Sequence, residues 1–222
     1  MNKISLDKLD AFKSLADLFK SHGFSLYLVG GTVRDYLLNK ELSDMDAVSD
    51  ATPDDMKKFL ANADYTFSRF GSVKVKHQEV SFDLTTLREE KSYSDFRHPG
   101  NITFVKDLSI DVKRRDFTIN ALYMDADMKV IDFVDGLNDL NNRIIKMVGD
   151  PDMRIKEDPL RIIRALRFEA NTGFILDKSL IKSINNNKEL LTKLNRDKIQ
   201  EEIRKCHNQE KLLKSLKDLN VL

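Results

Sequence analysis

The chain has 222 residues and a net charge of +1, from 37 basic and 36 acidic side chains. That length suits one domain with an appendage or two small domains, and it is long enough to bury a core. The near-balance excludes a generally basic nucleic-acid binder, so any contact with nucleic acid must come from a local patch. The single cysteine, Cys206, has no partner for an internal disulfide or a cysteine-rich zinc site, and a cytoplasmic location is expected. The first residues lack the apolar core of a signal peptide, and no apolar run is long enough to span a bilayer.

Leu6, Leu9, Phe12, Leu15, Leu18 and Phe19 recur at helical spacing between Ser5, a plausible cap, and Gly23. Core packing explains that face. Tyr27-Leu-Val29 is a short apolar run of strand character, stopped by Gly30 and Gly31, and Val33–Leu38 reads as a helix. A strand, a glycine turn and a helix start bring bare backbone N–H groups to the positive end of a helix dipole, which suits a phosphate. Asp44 and Asp46 follow. In a strand their spacing puts both carboxylates on one face and Met45 on the other. Two adjacent carboxylates repel unless a cation sits between them, and hard oxygen ligands beside a phosphate favour Mg²⁺. The residues alone therefore point to a nucleoside triphosphate held on metal.

Thr52-Pro-Asp-Asp55 starts a helix, with a capping hydroxyl, proline at the first position and acids in the first turn. Ser72–His77 and Val80–Thr85 alternate and read as a hairpin. Asp83, flanked by Phe82 and Leu84, is either an edge residue or a third metal ligand, and a third acid on an adjacent strand fits a two-metal site. Residues 88–100 read as a long polar loop. Arg114 and Arg115, taken alone, read as a solvated basic pair. Val130–Val134 is a short strand, Asp135-Gly136 a turn, and a short helix and the strand Ile144–Val148 follow. After Gly149 strand signals stop. Glu157-Asp158-Pro159 opens a helix with Asp158 as cap. Arg161, Arg164 and Arg167 recur every three residues along it, beside an apolar ridge of Leu160, Ile163 and Leu166. That helix ends near Gly173, and others are expected at about 177–187, 196–206 and 208–219.

Taken together these motifs resemble the bacterial-type tRNA nucleotidyltransferases, the class II CCA-adding enzymes, and their poly(A) polymerase relatives. The resemblance rests on Gly30-Gly31, Asp44-x-Asp46, Arg114-Arg115-Asp116 with Asn120-Ala121, Asp135-Gly136 with Asp139 and Arg143, Glu157-Asp158-x-x-Arg161, and Arg164 with Arg167-Phe168, in that order from about residue 25 to 206. It implies an α/β nucleotidyltransferase head over residues 1–150, a mixed and mainly antiparallel sheet flanked by helices. An all-helical neck over 151–222 would follow. It further implies that Asp44 and Asp46 bind Mg²⁺, with Asp83 as the third active-site acid. Gly31 and Arg34 match positions that contact the nucleotide, and Arg115 a phosphate-binding arginine. Asp158 and Arg161 match the pair that hydrogen-bonds the base of the incoming nucleotide. Arg164 and Arg167 match further nucleotide-binding positions. Gly30, Asp116 and Asn120 lie in the same motifs and are grouped with them. Asn195–Glu202 resembles a helix that braces the neck, and loop 88–100 the flexible loop of full CCA enzymes.

The activity implied is addition of C and A to the 3′ end of tRNA from CTP and ATP. The alternatives are a poly(A) polymerase, a partial CC- or A-adding enzyme, or a silent RNA- or nucleotide-binding module. The full set of acids speaks against the silent module. No membrane partner is expected, and the oligomeric state is left open with a monomer favoured. Family members continue into helical body and tail domains that grip the tRNA elbow, and these are expected to be absent here.

Overall fold

The computed structural model describes residues 3–93 and 99–219. The chain divides into two compact units that interleave in sequence. One holds the residues up to Glu90, Ile102–Arg115 and Ile119–Gly136. The other holds Lys91–Asn101, Asp116–Thr118 and the residues from Leu137 on.

The first unit opens with α1 (Lys3–Ser21), which packs on β1 (Leu26–Val29). Phe12, Leu15 and Phe19 of α1 are fully buried, so the amphipathic pattern marks a core face. Ser5 is not its cap. It lies inside the helix, buried, and its Oγ accepts a hydrogen bond from the Leu42 N–H. After β1 come α2 (Gly31–Leu37), β2 (Met45–Ser49), α3 (Pro53–Met56), β3 (Ser72–His77) and β4 (Val80–Thr86). Thr52 and Asp55 form a full capping box on α3. The β3–β4 hairpin turns through Gln78 and Glu79, both at positive φ.

β5 (Arg88–Tyr93) and β6 (Pro99–Phe104) form a separate two-stranded sheet. The expected loop at 88–100 is therefore mostly strand, while residues 94–98 fall outside the described residues. Charge made Arg88–Tyr93 look like a loop, but charge does not prevent a strand whose backbone is paired. Next come α4 (Leu108–Asp111), a 3₁₀ turn at Val112–Arg114, β7 (Tyr123–Met124) and β8 (Val130–Ile131).

The main sheet has the order β3-β4-β2-β1-β7-β8. β2 and β4 run parallel, and the other neighbours are antiparallel. The expected mixed, mainly antiparallel sheet with flanking helices is thus present. Leu28, Met45, Ala47, Phe82 and Leu84 bury its apolar side.

The second unit contains α5 (Gly136–Asn141), β9 (Ile144–Ile145), α6 (Pro151–Glu157), α7 (Leu160–Thr172), β10 (Ile175–Leu176), α8 (Lys178–Asn187), α9 (Arg196–Arg204) and α10 (Gln209–Asp218). The expectation of helices alone after residue 150 meets one departure, since β10 pairs in parallel with β9. α6 carries a plain signal, Asp150 accepting from the Met153 N–H ahead of Pro151. α7 ends at Gly173 in the left-handed conformation, φ 71°. Its apolar ridge is buried as expected, with Phe168 edge-on to Phe117 at 5.6 Å between centroids. α9 and α10 pack on α7, and α8 packs on α6.

Candidate active site

The glycine turn sets the geometry of the first unit's site. Gly30 has φ 68° and ψ −129°, which a residue with a Cβ adopts only under strain. Its N–H donates to the Leu122 carbonyl at 3.4 Å, tying the end of β1 to the chain entering β7. Thr32, which is buried, fixes the acids to this turn. Its hydroxyl donates to the Asp44 carbonyl and accepts from the Asp46 N–H, both at 3.0 Å. Sequence reasoning missed Thr32, although a hydroxyl directly after two glycines was the available signal. Arg34 donates to the Asn120 Oδ1 at 2.7 Å and forks onto Asp35, so these side chains brace α2.

Asp44 stands exposed just ahead of β2, Met45 is buried, and Asp46 is half-buried on the strand. The parallel register of β2 and β4 puts Asp46 opposite Asp83. Phe82 and Leu84 are buried, so Asp83 faces the same side as Asp46. Burial pushes the Asp46 carboxyl up to about 6, and the charges of Asp83 and Asp44 push it the same way. Arg115 and Lys74 pull against this and lose. Lys74, opposite Asp83 on β3, places its Nζ 2.8 Å from Asp83 Oδ1. Among the described residues, no three acidic, histidine or cysteine side chains already converge as a metal site.

A cavity of about 220 Å³ gathers Gly30, Asp46, Asp83, Arg88, Arg114 and Arg115. A larger one of about 680 Å³ meets Asp44 and the other side of Asp83. The arginines are not a solvated pair. Arg114 Nε donates to Asp111 Oδ1 at 2.7 Å, and Arg115 Nη2 donates to Asp111 Oδ2 at 2.8 Å. Arg115 Nε also reaches the Tyr123 hydroxyl at 3.0 Å, and that hydroxyl donates to Asp111 at 2.9 Å. Burial alone would raise the Asp111 carboxyl, but the charges of Arg115 and Arg114 hold it down at about 2. Asp111 and Tyr123 escaped the sequence reading. Asp111 lies three and four residues before the two arginines, one helical turn away, and that spacing was the signal. Arg88, also missed, donates to Glu90 at 2.8 Å.

The second unit holds the remaining candidates. Arg164 grips Asp116 with Nε at 2.9 Å and with Nη2. Burial would raise the Asp116 carboxyl, but Arg164 keeps it below the usual carboxylate range. Arg161 is buried and donates to Glu157 at 3.1 Å and to the Arg154 carbonyl. Asp158 caps α7, its Oδ1 accepting from the Leu160 N–H at 3.0 Å. Arg167 Nε donates to the buried Glu202 at 2.7 Å. All three arginines of the ridge have acidic partners, and Arg164 and Arg167 find theirs far away in sequence.

Over residues 26–146 the sequence matches the Poly A polymerase head domain. The chain belongs to the poly A polymerase head domain family. Within it the chain is similar to the CCA-adding enzyme of Lactobacillus helveticus (strain DPC 4571), 43% identical over 203 residues. That match covers 90% of this chain and 51% of the relative. Among solved structures it is similar to the Bacillus stearothermophilus CCA-adding enzyme in complex with CTP, with TM-score 0.82 and 33% identity. There 96% of this chain and 49% of that chain are covered. It is also similar to a tRNA nucleotidyltransferase complexed with a primer tRNA and an incoming ATP analog. That likeness has TM-score 0.76 and 29% identity, covering 94% of this chain and 61% of the other. The chain spans about half the length of the curated relatives it matches.

Proposed function

We propose that this member of the poly A polymerase head domain family is a tRNA nucleotidyltransferase that adds C and A to the tRNA 3′ end from CTP and ATP. One observation carries the reading. Asp46 and Asp83 stand opposite each other on β2 and β4, in a cavity whose lining includes the Gly30 turn and Arg115. In domain terms, residues 1–150 serve as the nucleotidyltransferase head and residues 151–222 as the helical neck.

The donor set fits a hard divalent cation. Asp44, Asp46 and Asp83 offer only carboxylate oxygens, and the proton affinity of Asp46, raised first by burial and further by the charges of Asp83 and Asp44, is of the kind a dication offsets. Asp44 and Asp46 would hold Mg²⁺, with Asp83 beside them. When bound, the ion would lower the pKa of the RNA 3′-hydroxyl and offset the triphosphate charge. The chain's own residues do the rest. Arg115, kept charged and fixed by Asp111 and Tyr123, faces the cavity as a phosphate partner. The Gly30–Gly31 turn lets the triphosphate approach bare backbone, with Arg34 and Asn120 bracing it. Displacement of pyrophosphate by the 3′-hydroxyl then needs positioning more than covalent chemistry.

Asp158 and Arg161 read the base in this proposal. Arg161 donates to the acceptors O2 and N3 of cytosine, and Asp158 accepts from its amino group. Adenine offers N1 and N6 to the same pair, whereas guanine and uracil leave it mismatched. Arg164 and Arg167, with Asp116, complete the nucleotide-binding set.

A second reading, a poly(A) polymerase, is favoured by the description of the matching family itself. The test separates them. The protein is given tRNA ending at the discriminator base, with each nucleotide alone and all together. CCA-length product requiring both CTP and ATP supports the first reading. A ladder from ATP alone supports the second, and no extension under any condition overturns both.

A further inference from the structure

A second cavity, of about 330 Å³, shares Ser72, Asp83 and Thr85 with the acid cavity. Its far wall is aromatic, made of Phe67 and Phe70, and Lys74 lies at its side. Phe67 is 56% exposed, so its ring is open to a partner on the cavity side. Backbone bonds hold it there. Its carbonyl accepts from the Phe70 N–H at 2.9 Å and from the Ser72 N–H at 3.3 Å. Gly71, at φ 82°, turns the chain from this aromatic segment into β3, and a Cβ there would come within 2.8 Å of the Phe104 ring. An exposed ring on a backbone-anchored residue thus lines the same cavity as one of the three acids.

On the reading of those acids given above, the nucleophile is the 3′-hydroxyl of an RNA strand, and its own base must lodge close by. We propose that this cavity holds the 3′-terminal base of the RNA acceptor, stacked on Phe67, so that its ribose hydroxyl is presented to Asp83. The chemistry suits that occupant. A growing end presents different bases in turn, and stacking on an aromatic ring tolerates all of them, since each base has a π-face. Lys74, its side chain 64% exposed, pairs with Asp83 at 2.8 Å and can serve the adjoining phosphate by sharing that contact. The incoming nucleotide is the other possible source of a base, and the test separates the two.

The probe is an RNA acceptor stem with 2-aminopurine as its 3′-terminal base, bound to the full chain without nucleotide. Stacking quenches its fluorescence, and the measurement needs no transfer. We expect quenching by the wild type and by Phe67→Tyr, and its loss in Phe67→Ala. In steady state, Phe67→Ala should raise KM for RNA on the order of tenfold, the size of one lost base–aromatic stack, with KM for CTP unchanged. Phe67 lies outside the core, so the alanine variant keeps the fold. Equal quenching by wild type and Phe67→Ala overturns the inference, as does a rise in KM for CTP in place of RNA. Nucleotide transfer by a wild type that gives no quenching overturns this inference alone. Phe67-dependent quenching by a wild type that extends no RNA supports the end-binding cavity and overturns the enzyme reading.

Discussion

Asp46 carries the sharpest conflict between stability and function at the level of single residues. Burial, and then the charges of Asp83 and Asp44, push its carboxyl up from an ordinary value of 3.8 to about 6 in the folded chain. The folded state therefore binds a proton more tightly than the unfolded state. Stability falls as pH rises through the window from about 4 to 6 and stays lower above it. A shift of that size corresponds to roughly 2–3 kcal/mol. Asp46→Asn should then abolish transfer while stabilising the fold at neutral pH. The gain should vanish below about pH 4. Urea denaturation at pH 7.5 and pH 4 checks this, and a variant no more stable than wild type at pH 7.5 would refute the strain. Mg²⁺ should raise the wild-type midpoint at pH 7.5 and leave that of Asp46→Asn unmoved. Asp111 is the opposite case. It is held at about 2, so its contribution is present above the ordinary carboxylate range and is lost only as pH falls toward 2. Asp111→Ala leaves Arg114 and Arg115 without their shared acid in a buried setting, and a loss of about 3–5 kcal/mol is expected in the same denaturation assay. Asp111→Asn should recover part of this, because the amide still accepts from the Tyr123 hydroxyl.

Among the elements, α7 shows how far one residue can hold two roles. Asp158 caps the helix through one oxygen and is also proposed to read the base. Asparagine caps nearly as well as aspartate, but its amide offers a donor where the base needs an acceptor. Asp158→Asn should therefore keep stability within about 0.5 kcal/mol. It should also lose on the order of 1–3 kcal/mol of discrimination for C and A over U and G. Single-nucleotide incorporation with each of the four triphosphates measures it, and unchanged selectivity would leave Asp158 as a cap only. The elements that could be read from sequence are those whose signal is local. The hairpin of β3 and β4 shows in its alternation, α3 in its Thr-Pro-Asp-Asp start, and Asp44-x-Asp46 in its spacing. What could not be read depends on distant partners. Asp116 and Glu202, the partners of Arg164 and Arg167, lie too far along the chain to be read from it. Arg88–Tyr93 looks like a loop until β6 pairs with it. The parallel register that sets Asp83 opposite Asp46 has no local trace at all.

The charge balance of the whole molecule makes a prediction about RNA. The 37 basic residues are nearly matched by 36 acidic ones. Many of the arginines proposed to bind the nucleotide are already engaged, with Arg34 on Asp35, Arg115 on Asp111, Arg161 on Glu157, Arg164 on Asp116 and Arg167 on Glu202. Each of those ion pairs must be shared or broken before its arginine can neutralise an RNA phosphate. Affinity for nucleic acid comes largely from that neutralisation, and the slope of log K against log salt counts the phosphates involved, at about −0.7 for each in a single strand. A polypeptide of these 222 residues should therefore bind tRNA weakly, with a slope between about −1 and −3, the value for a few phosphates near the 3′ end. Binding of CTP and ATP does not rest on those arginines alone, because the proposed metal on Asp44 and Asp46 and the bare backbone of the Gly30 turn also take up the triphosphate, so it should be less weakened. An acceptor-stem minihelix should then be extended nearly as well as whole tRNA at equal concentration, because the rest of the tRNA adds few contacts. Titrations from 50 to 300 mM salt and a side-by-side extension of the two substrates decide the point. A steep slope, or a strong preference for whole tRNA, would show that lysines of α8, α9 and α10 track the RNA backbone beyond its end.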